Sequence, residues 1–348
     1  MRITNSMMIA NTVRNINNAA RRLSEAQERM SSQKKIQLAS DDPVVATRAI
    51  KYRNYVSTVE QYQKNVDDVT SWQEVTESAI GDLSDVVQQI RTLTVKASSD
   101  TMTTDNLADI KAQILELRDE AIQIMNTSYA GRYVFGGFST GEEPYALTLT
   151  DVGDTVMFKG QYLSLGGVVS ADTDDAAITA FCSANTQYET VTAETIKYNI
   201  GFNSDVIVNT EGQNVIGEGA GTNLFDTISK LLLGLDGMTS YKTADTSTDP
   251  ATITTETFSL DGLLTDLDDD YDRILKAQAT LGARMNYVSR VAERLSTDYE
   301  TYTTLKSNNE DVDVSEASME VSTAEYVYEA SLSVGAKAIT KTLIDYLA

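Results

Sequence analysis

Carboxylates are the groups dense enough in this chain to do chemistry. Asp266, Asp268, Asp269, Asp270 and Asp272 crowd one stretch, Asp41 and Asp42 are adjacent, and Asp311 and Asp313 stand near the far end. Clustered aspartates could hold calcium, but a calcium loop alternates its ligands around a glycine turn and closes on a bidentate glutamate. The 266–272 run has neither feature and reads as a solvated face near a helix start. Adjacent acids could pass a proton. Asp42 directly before Pro43 is better explained as a helix cap, because proline at a first helical position lacks an N–H that would be unbonded anyway. Asp41, Asp42 and Pro43 are therefore assigned to a structural helix start, and Asp311 and Asp313 to capping. Gly217, Gly219 and Gly221 are not followed by the Lys-Ser/Thr of a phosphate loop. Asn126-Thr127-Ser128 spells a glycosylation sequon, but inside a helical pattern.

Composition narrows the chemistry further. The 348 residues include no histidine, one tryptophan (Trp72) and one cysteine (Cys182). The commonest general base and metal ligand is missing, and so is any disulfide framework or cysteine-rich metal site. No catalytic, cofactor-binding or metal-ligating residue is assigned, and no cofactor is expected. Net charge is −23, with residues 1–60 at +5 and every later segment acidic. An acidic body argues against nucleic acid, which demands a basic footprint. A basic start beside an acidic end suits pairing between the two. The N-terminus has no apolar core or small-residue cleavage site of a Sec signal, and no apolar run reaches the length of a membrane span. The expected setting is cytosolic, or outside the cell without a cleaved signal, and no membrane partner is expected.

What must position these residues is a set of helices. Ile9, Val13, Ile16, Ala20, Leu23 and Met30 repeat at coiled-coil spacing, with a gap at Gln27. Val314, Ala317, Val321, Ala324, Tyr328, Leu332, Ala336, Ile339, Leu343 and Tyr346 repeat in the same rhythm. Neither helix can bury such a stripe alone, so each needs a partner. Between them the pattern predicts a long helix from Pro43 to about Ser98, a third over 107–128 and a fourth over 260–308. A short aromatic strand is predicted at 132–135. From 139 to 258 helical periodicity fades into a Thr-, Gly- and Asp-rich β region. Short strands are expected there at 148–150, 155–159, 162–165 and 205–208, one helix at Leu224–Leu235, and a mobile link at 239–257.

The fold class is thus mainly α with a β-rich insert: a long antiparallel helical rod or coiled coil from both chain ends, with a central β domain. Three layers are expected. Residues 1–40 and 309–348 form terminal coiled-coil helices, 41–138 and 259–308 a long-helix bundle, and 139–258 an outer β domain. The interface residues assigned from the stripes are Ile9, Val13, Ile16, Ala20, Leu23 and Met30 with Val321, Tyr328, Leu332, Ile339, Leu343 and Tyr346. Ends with unpartnered stripes are expected to be weakly ordered before assembly.

Several motifs carry a family likeness. They are Arg2-Ile3-Thr4-Asn5, Ser40-Asp41-Asp42-Pro43-Val44, Asn126-Thr127 with Gly131-Arg132-Tyr133-Val134-Phe135-Gly136-Gly137, the insert stretch from Val206 to Val215, and Leu343-Ile344-Asp345-Tyr346-Leu347. Together they resemble bacterial flagellin-family proteins, and within that family the hook–filament junction members more than flagellin itself. One departure is Ser32-Gln33, where the family often has Ser-Gly. The resemblance implies a structural subunit of the flagellum, joining the hook-side junction protein to flagellin as a homo-oligomer ring. It also implies export through the flagellar type III apparatus with a cytosolic chaperone bound near the C-terminus. Two alternatives stay open: a minor flagellin, and a carboxylate-dependent glycan hydrolase carried by the insert.

Overall fold

A computed structural model describes residues 5–99, 102–189, 192–219, 221–246 and 251–338. Packing divides the chain into two units: the described residues before Tyr62 and after Glu293 form one, and Tyr62–Glu293 the other.

The unit of the chain ends is purely helical apart from one bridge. It holds α1 (Asn5–Ser32), the start of α2 (Pro43–Ala97), the end of α7 (Leu260–Glu310) and α8 (Val314–Ala338). Asp42 Oδ1 accepts the N–H groups of Val44 and Val45 at 2.9 and 3.1 Å, which caps α2 in front of Pro43. Asp41 turns back instead and accepts the N–H of Leu38 at 2.9 Å. Asp313 caps α8 through the N–H of Ser315 at 2.7 Å. Those backbone donors hold its carboxyl below the ordinary range. Gln33 takes φ +56°, so the left-handed bend after α1 is made by a residue other than glycine.

The second unit holds the rest of α2 and α7, with α3 (Thr104–Met125) and the β elements. Ile80, Leu83 and Ile90 of α2 pack in one core with Ile110 and Ile114 of α3 and Leu267, Ile274 and Leu281 of α7. Each set recurs every three, four or seven residues, so each helix gives one stripe to that core. Gln88 and Arg91 meet Tyr271 and Asp268, which makes α2 and α7 antiparallel neighbours here. Thr103 caps α3, which ends at Met125, so Ser128 lies in β1 (Ser128–Tyr129) rather than on the helix.

β1 pairs with β2 (Arg132–Tyr133), shorter than the expected aromatic strand. β3 (Tyr145–Thr150), β4 (Gly153–Phe158) and β5 (Gln161–Tyr162) form an antiparallel sheet, with Tyr145 opposite Phe158. β6 (Val169–Ser170) precedes α4 (Asp175–Ala184), and β7 (Lys197–Gly201) pairs with β8 (Ser204–Ile207). α5 (Gln213–Ile216) and α6 (Leu224–Leu235) follow, α6 with the bounds its periodicity predicts. The stretch expected to be a mobile link instead holds two antiparallel strands, β9 (Ser240–Asp245) and β10 (Thr252–Thr257), in the sheet order β10-β9-β6. A second apolar cluster under this sheet joins Val169 and Ala244 to Ile178 and Cys182 of α4.

Candidate assembly interface

In the unit of the chain ends, α1 and α8 run antiparallel along each other. Arg29 meets Glu320 at 3.2 Å near one end. Near the other, a Cβ on Gly335 would come within 2.8 Å of Ile16 Cδ1 and 3.2 Å of Thr12 Cγ2. The side chains turned inward on α1 are Ile9, Thr12, Ile16, Ala19, Leu23 and Ala26, and on α8 Ala317, Val321, Ala324, Tyr328, Ser331 and Gly335. Both sets alternate by three and four, a coiled-coil seam. Every second member is small, so the two backbones approach closely.

This seam shares Ile9, Ile16 and Leu23 of α1 and Ala317, Val321, Ala324 and Tyr328 of α8 with the stripes expected from the sequence, and departs from them elsewhere. Ile9, Ile16, Ala20, Leu23, Val321 and Tyr328 are half-buried. Val13, Met30 and Leu332 stand 47%, 41% and 43% exposed. Ser331 and Gly335 occupy the inward positions where Leu332 and Ala336 were expected. Ile339, Leu343 and Tyr346 lie outside the described residues.

Ion pairs tie the link after α1 and the first part of α2 to the end of α7. Arg53 binds both carboxylate oxygens of Glu310, at 2.8 and 2.7 Å, and Glu310 is only 2% exposed. Lys34 pairs with Asp311 and lies 3.6 Å from Glu310. The Lys34 ammonium holds the Asp311 carboxyl below its ordinary range. The Lys35 N–H donates to the Glu310 carbonyl at 2.7 Å. Because Arg53 stays hydrated, Glu310→Gln is expected to cost only about 1–2 kcal/mol. It should lower the urea midpoint of the chain-end unit and leave α1 helical. An unchanged midpoint would show that the bidentate pair contributes nothing.

The buried apolar residues of this unit are Ala19, Ala26, Ala46, Ala49, Val56, Val59, Leu295 and Ala317. Many of its large apolar side chains point outward. Among the described residues, 21 large apolar side chains stand exposed, and 15 of them belong to this unit, Met319 at 65%, Tyr326 at 73% and Val334 at 63% among them. This unit buries mostly alanine and displays methionine, tyrosine and valine, the kind of apolar surface that marks an interaction face. Each such side chain, once covered, contributes about 1.5–3 kcal/mol.

The acidic run is not the solvated face expected of it throughout. Asp268 pairs with Arg91 at 2.6 Å, but Asp270 is 3% exposed and bound to Arg273 at 2.6 Å. Burial pushes the Asp270 carboxyl upward. The missed signal was Arg273 three residues on, one helical turn away. Among the described residues no group of three or more His, Cys, Asp or Glu could hold a metal ion, and no helix is long and apolar enough to cross a membrane.

These helical ends match known proteins. Residues 3–140 match the bacterial flagellin N-terminal helical region and 264–347 the C-terminal helical region. Together the two matches span well over half of the chain, and the chain belongs to the flagellin family. It is 25% identical over 291 residues to flagellar hook-associated protein 3 of Escherichia coli (strain K12), covering 82% of this chain and 80% of that one. It is also 24% identical over 359 residues to flagellin of Clostridium tyrobutyricum, covering 92% and 94%. The fold is shared with the crystal structure of the flagellar junction protein FlgL from Legionella pneumophila, at TM-score 0.51 and 13% identity, over 76% of this chain and 100% of that chain.

Proposed function

We propose that this chain is a structural adaptor at the hook–filament junction of the bacterial flagellum, joining a hook-side junction protein to flagellin. The observation that carries the proposal is the chain-end unit, which buries mostly alanine and leaves 15 large apolar side chains exposed. The mechanism is interface complementarity, with Val13, Met30 and Leu332 on faces completed by neighbouring subunits in a ring. Likeness to hook-associated protein 3 favours the junction over the filament. Export through the flagellar type III apparatus, with a chaperone on the C-terminal region, belongs to the same reading.

Deletion of the gene tests it by electron microscopy. Cells should bear hooks without filaments and leak flagellin into the medium. Filaments still attached would overturn the junction role. The near full-length match to a flagellin supports a second reading, a minor filament subunit. Seeded growth of the pure chain into long filaments would favour that reading.

A further inference from the structure

One side of the α1–α8 pair is a groove of about 850 Å³ lined by charges of both signs. Arg22, Glu25 and Arg29 stand on the α1 wall, and Glu316 and Glu320 on the α8 wall, over a floor that includes Ala19 and Ala324. Arg29 is already neutralised by Glu320, whereas Arg22 has no ion-pair partner among the described residues. The heptad register places a different surface on the other side of the same pair. There Val13 of α1 and Leu332 of α8 form an exposed apolar ridge, beside the exposed carboxylate of Glu325.

We propose that the groove of one copy seats the Val13–Leu332 ridge of a second copy, with Glu325 of that copy facing Arg22. The proposal rests on the assembly reading above and adds to it a polarity and a charge key. Charge selects the occupant, because an unpaired arginine beside an apolar floor fits a ridge that carries both apolar side chains and a carboxylate. Shape selects the geometry. A groove packed on the same groove by two-fold symmetry leaves both unfilled, whereas ridge into groove uses two different patches. Such a heterologous contact repeats from copy to copy and generates a ring or a helical tube.

The test uses full-length chains in a Cys182→Ala background. One variant carries Thr323→Cys, in the groove. A second carries Val13→Cys, on the ridge. At near-millimolar concentration a bifunctional maleimide should join the two variants when mixed and give at least tenfold less dimer with either alone. Arg22→Glu in the groove variant should cut the mixed product at least tenfold, and Glu325→Lys in the ridge variant should restore it. Circular dichroism of each variant checks that helix content is kept. Dimers from either single variant, or no mixed product, would overturn the proposal, and so would a charge reversal that changes nothing. Filament attachment in cells is scored separately. A failed cross-link with a clear deletion phenotype sinks the groove and leaves the junction role standing.

Discussion

Replacing Gly212 with alanine is expected to destabilise the Tyr62–Glu293 unit by about 3 kcal/mol or more. Gly212 has φ −60° and ψ −34°, which any residue adopts, so the demand is for space alone. A Cβ there would overlap the hydroxyl of Tyr145 and come within 2.8 Å of its Cζ. That ring cannot yield. It is 1% exposed and packed on Phe158 and Phe225, with ring centroids 4.9 and 6.3 Å away. The Tyr145 backbone is pinned as well. The Asn126 side chain accepts its N–H at 2.9 Å and donates to its carbonyl at 2.7 Å. Urea unfolding followed by the fluorescence of Trp72, which packs edge-on against Tyr129, reads the loss. Tyr145→Phe supplies the control. The hydroxyl is buried and has no hydrogen-bond partner among the described residues, so its removal should be neutral or stabilising by up to about 1 kcal/mol. In the double variant part of the overlap disappears, and the cost of the alanine should fall by at least half. An alanine variant as stable as the parent would refute the packing.

Gly212 also shows where sequence reading stops. It lies in the insert stretch, Val206 to Val215, that carries part of the family likeness, yet its cause is a tyrosine 67 positions earlier. Local patterns were legible wherever a segment has one wet face and one dry face. That is why α2, α6 and α7 begin and end close to where periodicity places them. Two physical situations defeat the same reasoning. In β10 five of six residues are exposed, so Thr252–Thr257 has no alternation to read and passes for a link. In α1 and α8 the in-chain seam alternates small residues with Ile9, Ile16, Leu23, Val321 and Tyr328, and other large apolar side chains face away. A search weighted by side-chain size therefore finds Val13 and Leu332 on the outward side and passes over Thr12, Ala19 and Gly335. Val13 and Leu332 of that stripe belong to the exposed face rather than to the in-chain seam. α4 was missed for another reason. Its inward signal is only Ile178 and Cys182, one turn apart and too short to show a period.

Asp226→Asn is expected to stabilise the same unit at neutral pH. Asp226 sits in the first turn of α6, capped by Asn223, and is 7% exposed. It accepts the Gly221 N–H at 2.5 Å, and the Lys230 ammonium one turn on donates to the Gly221 carbonyl at 3.0 Å. These favourable contacts do not offset desolvation, and burial raises its pKa from 3.8 to about 6. An acid whose folded pKa is raised gives the fold stability that is complete below the unfolded pKa and is lost as pH climbs through the folded one. The unit should therefore weaken between about pH 4 and pH 6, by roughly 3 kcal/mol at ~1.4 kcal/mol per pKa unit. Above that window the parent holds a buried charge that the asparagine variant does not. Asparagine can still accept the Gly221 N–H through Oδ1, so the capping geometry survives. Urea midpoints measured from pH 4 to pH 8 should fall with pH in the parent and stay flatter in the variant, with the two chains about equal near pH 4. The raised Asp270 carboxyl adds a slope of the same sign that both chains share. A variant less stable than the parent at pH 8 would show that Lys230 needs the carboxylate charge, and that pairing rather than desolvation governs Asp226.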